Sequence, residues 1–186
     1  MRYFLSRQIP QFKRVLLVES GSRSLLEPLI PGLYQTGGEG TMIDLVTCFG
    51  GAPQALNRET SAVFRVGDYG GAAGRERLLR ELLARGYDIM GIICSAEPVM
   101  TKWKWWLAAK VPAKVFILNE NGDYFWLDWS QWRTIIHFAL FRAGLTGAGA
   151  VPALVRLLLL PFTFAYLVGF AAWVHLKRAV RMAMAR

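Results

Sequence analysis

The chain has 186 residues, 54% of them hydrophobic, with a net charge of +9 and a mean hydropathy of +0.29. This composition excludes a disordered chain, a collagen-like fibre and a disulfide scaffold. The excess charge is local, since residues 131–186 contain seven Lys or Arg and no Asp or Glu. The other 15 basic and all 13 acidic residues lie in 1–130, a net charge of +2. Basic residues that flank an apolar run favour membrane attachment and argue against nucleic-acid binding.

Residues 13–130 alternate short apolar strands with amphipathic helices, after an N-terminal arm at residues 1–12. Strands are predicted at Val15–Glu19, Ile43–Cys48, Ala62–Val66, Tyr87–Ser95 and Ala113–Asn119. Helices are predicted from the Gly-Ser loop at 20–22 to about Leu33, at Gly74–Gly86, and at Glu97–Lys110 with Pro98 near the first turn. The second of these places Leu78, Leu79, Leu82 and Leu83 on one apolar face. This alternation predicts an α/β fold, a Rossmann-like open parallel sheet of about five strands with helices on both faces.

The segment after residue 130 has a different character. Residues 131–150 predict an amphipathic, interfacial segment, and residues 151–186 a membrane helix with a basic tail. The 20 residues Leu157–Leu176 carry no formal charge. As a helix they span roughly 30 Å, the thickness of a bilayer's hydrocarbon core. A buried core helix is the alternative. The N-terminus has no secretory signal peptide, so the folded domain is expected on the cytoplasmic side of an inner, bacterial-type membrane.

Basic residues on both sides of the apolar run leave its topology open. The positive-inside rule keeps both flanks in the cytoplasm, which a single straight span does not satisfy. A helical hairpin or re-entrant element bent at Pro161, or a first half-span at Ile135–Gly149, would satisfy it. The alternative is a single span in which the domain end prevails and the basic tail crosses regardless of the rule. A hairpin would need partner helices to shield its backbone.

The carboxyl ends of the strands predict a weak ligand site. If the strand order is 3-2-1-4-5, ligands lie between the first and fourth strands. The residues that arrive there are Ser20, Gly21, Ser22, Arg23, Ser24, Ser95, Ala96 and Glu97. Free N–H groups of the loop and the charge of Arg23 suit a phosphate or carboxylate. A plain turn that begins the helix is the alternative interpretation.

Other reactive residues give no clear site. Glu19 and Glu97 would form an acid/base pair across the same crevice, but solvated loop ends are the favoured interpretation. Asn119–Tyr124 is expected to be a turn. Cys48 and Cys94 stand far apart and His137 and His175 stand alone, so no metal site, catalytic residue or cofactor is predicted. Pigment or haem ligation by His175 is the exceptional alternative to an interfacial hydrogen bond.

Aromatic and basic residues at several positions predict contact with a membrane interface. They are Trp103, Lys104, Trp106, Trp132, Arg156, Trp173, Lys177 and Arg178. The alternative for the run KWKWWLAAK is that Trp106 and Leu107 pack on the sheet while the lysines are solvated.

The stretches KRVLLVESGSRSLLEPLIPGL, IDLVTC and LLRELLARGYDIMGIICS resemble the N-terminal Rossmann half of heptosyltransferase-like glycosyltransferases of the two-domain GT-B fold. The resemblance covers about residues 13–120 and rests on spacing and the strand–helix alternation. It implies an acceptor-side half domain. The family's Gly-Asp pair, which carries its presumed catalytic base, is matched here by Ser24-Leu25, and a membrane tail replaces the donor-binding half.

These observations lead to three functional hypotheses. The first is a non-catalytic, glycosyltransferase-like accessory subunit of a membrane assembly, with membrane lipids and an integral-membrane protein as partners. The second is a component of envelope glycan or lipid glycosylation that binds a phosphorylated or nucleotide-sugar ligand. The third is a structural subunit of a bioenergetic or photosynthetic membrane complex.

Overall fold

The computed structural model describes residues 11–95, 97–145 and 150–184. Most of the predicted N-terminal arm, Ala96 and the Gly-rich break at 146–149 lie outside the described residues. The strands are Arg14–Glu19 (β1), Met42–Thr47 (β2), Val63–Arg65 (β3), Ile89–Cys94 (β4), Lys114–Asn119 (β5) and Tyr124–Trp126 (β6). The α-helices are Leu26–Gly37 (α1), Gly71–Arg85 (α2), Thr101–Lys110 (α3), Trp132–Arg142 (α4) and Ala150–Met184 (α5). The chain divides into two compact units, Met1–Ile135 and Ile136–Arg186.

The first unit contains a six-stranded sheet in the order β3-β2-β1-β4-β5-β6. Strands β1 to β5 are parallel, and β6 is antiparallel to β5. In β1 the four residues Val15–Val18 are fully buried, as expected of a central strand covered on both faces. The predicted α/β class and Rossmann-like parallel sheet are therefore confirmed.

The edge strand β6 was not among the predicted elements. Residues Asn119–Asp123 form the expected turn, in which the Asn119 side chain accepts hydrogen bonds from the N–H groups of Asn121 and Asp123. Gly122 has a φ of +84°, which favours glycine. The chain then pairs for only three residues, too short a run for period-two alternation to reveal a strand.

Two helices begin elsewhere than the sequence predicts. Helix α2 begins at Gly71, three residues early, and ends before Gly86, whose φ of +65° terminates it. Helix α3 begins at Thr101, so Pro98 precedes the helix and does not occupy its first turn. Leu83 is 43% exposed, so the predicted apolar face of α2 is narrower than expected.

Two buried polar clusters tie the elements of the sheet together. Asp44 in β2 accepts hydrogen bonds from Arg85 at 2.9 Å and from the Tyr87 hydroxyl at 2.6 Å. Burial, followed by this hydrogen bond, raises the pKa of Tyr87 above its ordinary value. Lys114 in β5 forms a buried ion pair with Asp128 at 3.1 Å. These contacts fix β2 to the end of α2, and β5 to the segment that leads into α4.

The second unit is helical. Helix α5 continues through Pro161, which contradicts the alternative of a hairpin bent at that residue. Within it, Leu158–Arg178 is the one described helical segment long and apolar enough to cross a membrane, with a mean hydropathy of 1.6. None of this segment is buried against the rest of the chain, which contradicts the alternative of a buried core helix.

Candidate functional site

The strand order reverses between β1 and β4, where ligands lie in open α/β sheets. This is the position that the assumed order 3-2-1-4-5 predicts. The loop after β1 brings Ser20 to Ser24 to this edge, and β4 brings Ser95. The candidate site therefore consists of the loop after β1, the end of β4, and the helix side chains that contact these two segments.

Ser20 and Gly21 close the loop tightly onto β4. The Ser20 hydroxyl is buried and donates to the Ile93 carbonyl at 2.6 Å, just beyond the last paired residues of β1 and β4. A Cβ on Gly21 would lie 2.6 Å from both the Ile93 Cγ2 and the Ser95 Oγ. A larger residue here would force the Ile93 and Ser95 side chains to move, which favours glycine at this contact.

Arg23 is occupied by the protein's own groups. Its Nε and Nη2 donate to the two Glu19 carboxylate oxygens at 2.6 and 3.1 Å, and its Nη1 donates to the Gly50 carbonyl at 3.1 Å. The hydrogen bond with Glu19 raises the pKa of Arg23 further. Each guanidinium nitrogen therefore donates to a group of the protein itself, which leaves one further N–H on each of Nη1 and Nη2 for a ligand anion.

The two carboxylates considered as an acid/base pair have different surroundings. Glu19 is fully buried, is paired with Arg23, and accepts a further hydrogen bond of 2.5 Å from the Thr47 hydroxyl. Glu97 is exposed. The interpretation as solvated loop ends is thus correct for Glu97 and wrong for Glu19, whose carboxylate is a buried structural group.

The remaining predicted loop residues differ in exposure. Ser22 and Ser24 are exposed, and their hydroxyls share a hydrogen bond of 2.8 Å. The Ser95 Oγ is buried, with no hydrogen-bond partner among the described residues. Of the predicted ligand-binding side chains, Ser95 therefore offers a buried hydroxyl that is still free.

Lys104 reaches the same edge from α3, which the sequence interpretation missed. Its side chain is buried, and Nζ donates to the Ile93 carbonyl at 3.4 Å. Both the solvated position and the membrane-interface position expected for Lys104 are therefore wrong. Its spacing from Leu107 and Ala108, three and four residues on, is the signal that places it on the buried face of α3.

The other predicted interface residues fall into two groups. Trp103 and Trp106 are half-buried and pack edge to face, with ring centroids 5.7 Å apart. The five predicted interface residues after residue 130 are exposed, namely Trp132, Arg156, Trp173, Lys177 and Arg178. The exposed group remains free to contact a membrane, whereas the pair on α3 is held partly by the domain.

An apolar groove of about 310 Å³ lies between α1 and the sheet, and none of the predicted ligand-binding residues lines it. Leu29 and Leu33 line its helical side, and Phe116, Tyr124 and Trp126 line its sheet side. Tyr124 is 62% exposed at its rim. The groove has the apolar lining of a small-molecule pocket but no convergent charged groups.

Histidines and cysteines do not cluster. Within the described ranges 11–95, 97–145 and 150–184, no group of three or more His, Cys, Asp or Glu residues is placed to hold a metal ion. Cys48 is exposed and Cys94 is buried. His175 is exposed on α5.

Comparison with known proteins found no family model, no curated protein and no solved structure that matches this chain.

Proposed function

We propose that this chain is a membrane-anchored accessory subunit, whose glycosyltransferase-like domain is non-catalytic and is held at the cytoplasmic face of a bacterial-type inner membrane. The observation that carries the proposal is the helical segment Leu158–Arg178, which is apolar and has none of its residues buried inside the chain. Its 21 residues extend about 32 Å as an α-helix, enough to cross the hydrocarbon core.

The ends of this segment support anchorage in a membrane. Arg156 precedes it, and Lys177 and Arg178 close it, all three exposed. Trp173 lies one turn before the basic end and is 61% exposed. Cationic side chains near anionic headgroups and a tryptophan near the interface are typical of the ends of membrane helices.

The non-catalytic part of the proposal is supported by the loop after β1. The Glu19 carboxylate is neutralised by Arg23 and buried beside Thr47, an arrangement that stabilises the fold and leaves this carboxylate unsuited to take a proton from a substrate. The resemblance to heptosyltransferase-like enzymes adds that the position of the presumed catalytic base is occupied by Ser24-Leu25. A catalytic partner or a membrane assembly would then supply the chemistry.

Fractionation of cells that express the full chain or a variant lacking residues 151–186 tests the anchor. The full chain is expected to stay with the membranes after washes with high salt and carbonate, and the truncated chain to be soluble. A truncated chain that resists both washes would show that residues 151–186 are not the anchor.

The exposed thiol of Cys48 reports which side the domain occupies. A membrane-impermeant maleimide is expected to label it in inverted vesicles and not in intact spheroplasts, with Cys48→Ser as the control. Labelling in intact spheroplasts would place the domain outside. Sugar transfer by the purified full chain alone, with no partner added, would overturn the non-catalytic assignment.

A further inference from the structure

A buried ammonium group at the carboxyl end of β4 lacks the partner that such a charge requires. Lys104 is 5% exposed, and its Nζ donates to one backbone carbonyl, that of Ile93, over a long 3.4 Å. Among the described residues, no carboxylate oxygen lies within 4.0 Å of this nitrogen. Burying a cation with one weak hydrogen bond is unfavourable unless an anion compensates it.

A second polar group at the same strand end is also unsatisfied. The Ser95 Oγ is buried and has no hydrogen-bond partner among the described residues. It lies against Gly21, since a Cβ built on that glycine would come within 2.6 Å of the hydroxyl. The Ile93 carbonyl accepts hydrogen bonds from both the Lys104 Nζ and the Ser20 hydroxyl. The free hydroxyl and the buried ammonium are therefore both at the end of β4, beside the loop that follows β1.

The nearby carboxylate does not compensate Lys104. Glu19 is the buried acid at the end of β1, and Arg23 pairs with both of its oxygens. The Glu19–Arg23 pair is neutral overall, and the exposed Glu97 forms no ion pair with Lys104, so no described carboxylate is paired with this lysine.

We propose that Lys104 and Ser95 bind a phosphate group of a ligand at the point where β1 and β4 diverge. An ammonium has three donors and no acceptor, and a serine hydroxyl adds another donor, so the pair suits a group made of acceptor oxygens. Binding would give the buried cation its counter-charge. The phosphate belongs either to a soluble phosphorylated molecule or to a lipid headgroup, which share this chemistry.

The site is separate from the proposed membrane anchor. It depends on α3, β4 and the loop after β1, all in the first unit, whereas anchorage depends on Leu158–Arg178. The failure of one proposal therefore leaves the other standing. A chain that is soluble but binds phosphate, and a chain that is anchored but does not, are distinguishable results.

Calorimetric titration of the full chain in nonionic detergent with inorganic phosphate and with pyrophosphate tests the proposal. The key variant is Lys104→Met, and the matched control is Lys102→Met, an exposed lysine on the same helix. We expect Lys104→Met to weaken binding by about 10- to 100-fold, the range for loss of a hydrogen bond to a charged group. Lys102→Met is expected to bind like the parent.

Thermal unfolding provides a measurement that a merely structural lysine would not reproduce. At the same phosphate concentration, the unfolding midpoint is expected to rise clearly for the parent and for Lys102→Met, and to rise much less for Lys104→Met. If Lys104→Met does not fold, Ser95→Ala carries the test, with a smaller expected loss of about tenfold. Absence of phosphate binding by the parent, or equal weakening in both lysine variants, would overturn the proposal.

The source of the phosphate follows from a competition experiment. Phosphatidic acid in the detergent micelles is compared with phosphatidylcholine as competitor for pyrophosphate. Competition by phosphatidic acid alone assigns the site to a lipid phosphate monoester, and no competition by either lipid assigns it to a soluble ligand. Equal competition by both lipids would contradict recognition through a phosphate monoester and would overturn the lipid assignment.

Discussion

Replacing Arg23 by methionine isolates the energetic role of the buried pair at the end of β1. The change removes the two bonds of 2.6 and 3.1 Å to Glu19 and leaves that carboxylate buried with Thr47 as its remaining donor. Breaking a buried ion pair from one side costs roughly 3 to 5 kcal/mol. The Arg23 side chain is 31% exposed while that of Glu19 is 0% exposed, so the lower end, about 3 kcal/mol, is expected.

Urea unfolding of the full chain in nonionic detergent measures this loss. With a slope of about 2 kcal/mol per molar urea, the midpoint of Arg23→Met is expected to fall by about 1.5 M. Arg58→Met, which removes an exposed arginine, is expected to change stability by less than about 0.5 kcal/mol.

A double-mutant cycle separates the ion pair from lost packing. The variant Glu19→Gln with Arg23→Met removes both charges, so it is expected to be more stable than Arg23→Met alone. A double variant whose loss equals the sum of the two single losses would refute the coupling between these side chains. A midpoint shift no larger than that of Arg58→Met would refute the burial argument as well.

Two further predictions concern the first unit. Gly74→Ala in α2 is expected to destabilise the chain, because the new Cβ would lie 2.4 Å from the backbone carbonyl carbon of Tyr69. Gly32→Ala in α1 is expected to stabilise it by about 0.5 to 1 kcal/mol, because a Cβ there meets nothing within 4 Å. The urea midpoints of the two variants check these opposite signs. Burial alone would raise the pKa of Asp128, but hydrogen bonds from Ser130 and Lys114 hold it below the usual 3.8. Its contribution is therefore complete above about pH 5 and is lost as the pH falls through the lowered pKa, so the stability gap between the parent and Asp128→Asn, about 3 kcal/mol at neutral pH, is expected to narrow toward pH 3. A gap that does not change with pH would contradict this assignment of the Asp128 charge.

The parallel strands β1, β2, β4 and β5 could be predicted because each is a short and mainly apolar run. The weaker β3 has only its middle residue buried. Buried strands of a parallel sheet need apolar side chains on both faces, and β1 and β4 show this in their residues. The edge strand β6 could not be predicted, because three residues carry no periodic signal and their pairing depends on the turn before them. Helix α2 begins three residues before its predicted start, and α3 begins four residues after its predicted start. Neither helix has a side-chain cap that marks its first residue.

The candidate site was predictable in position and not in composition. Strand order and loop residues place Ser20, Gly21 and Ser95 at the switch point, since those residues follow directly from the ends of β1 and β4. The pairing of Arg23 with Glu19 and the burial of Lys104 were not predictable. A charged side chain is expected to be solvated, and only the orientation of its helix or loop in the fold shows that it is buried or paired.

By itself, the sequence determined the division into a nearly neutral α/β domain and an acid-free apolar tail, because local composition and periodicity are properties of the chain alone. It also determined that the tail is long enough to cross a membrane. The tertiary structure alone decided which charges are satisfied. Arg23 forms its ion pair with Glu19, four residues earlier in the chain, whereas the packing of α3 brings Lys104 to the Ile93 carbonyl at the end of β4. The physical reason is that contacts between different elements depend on how the sheet arranges those elements in space.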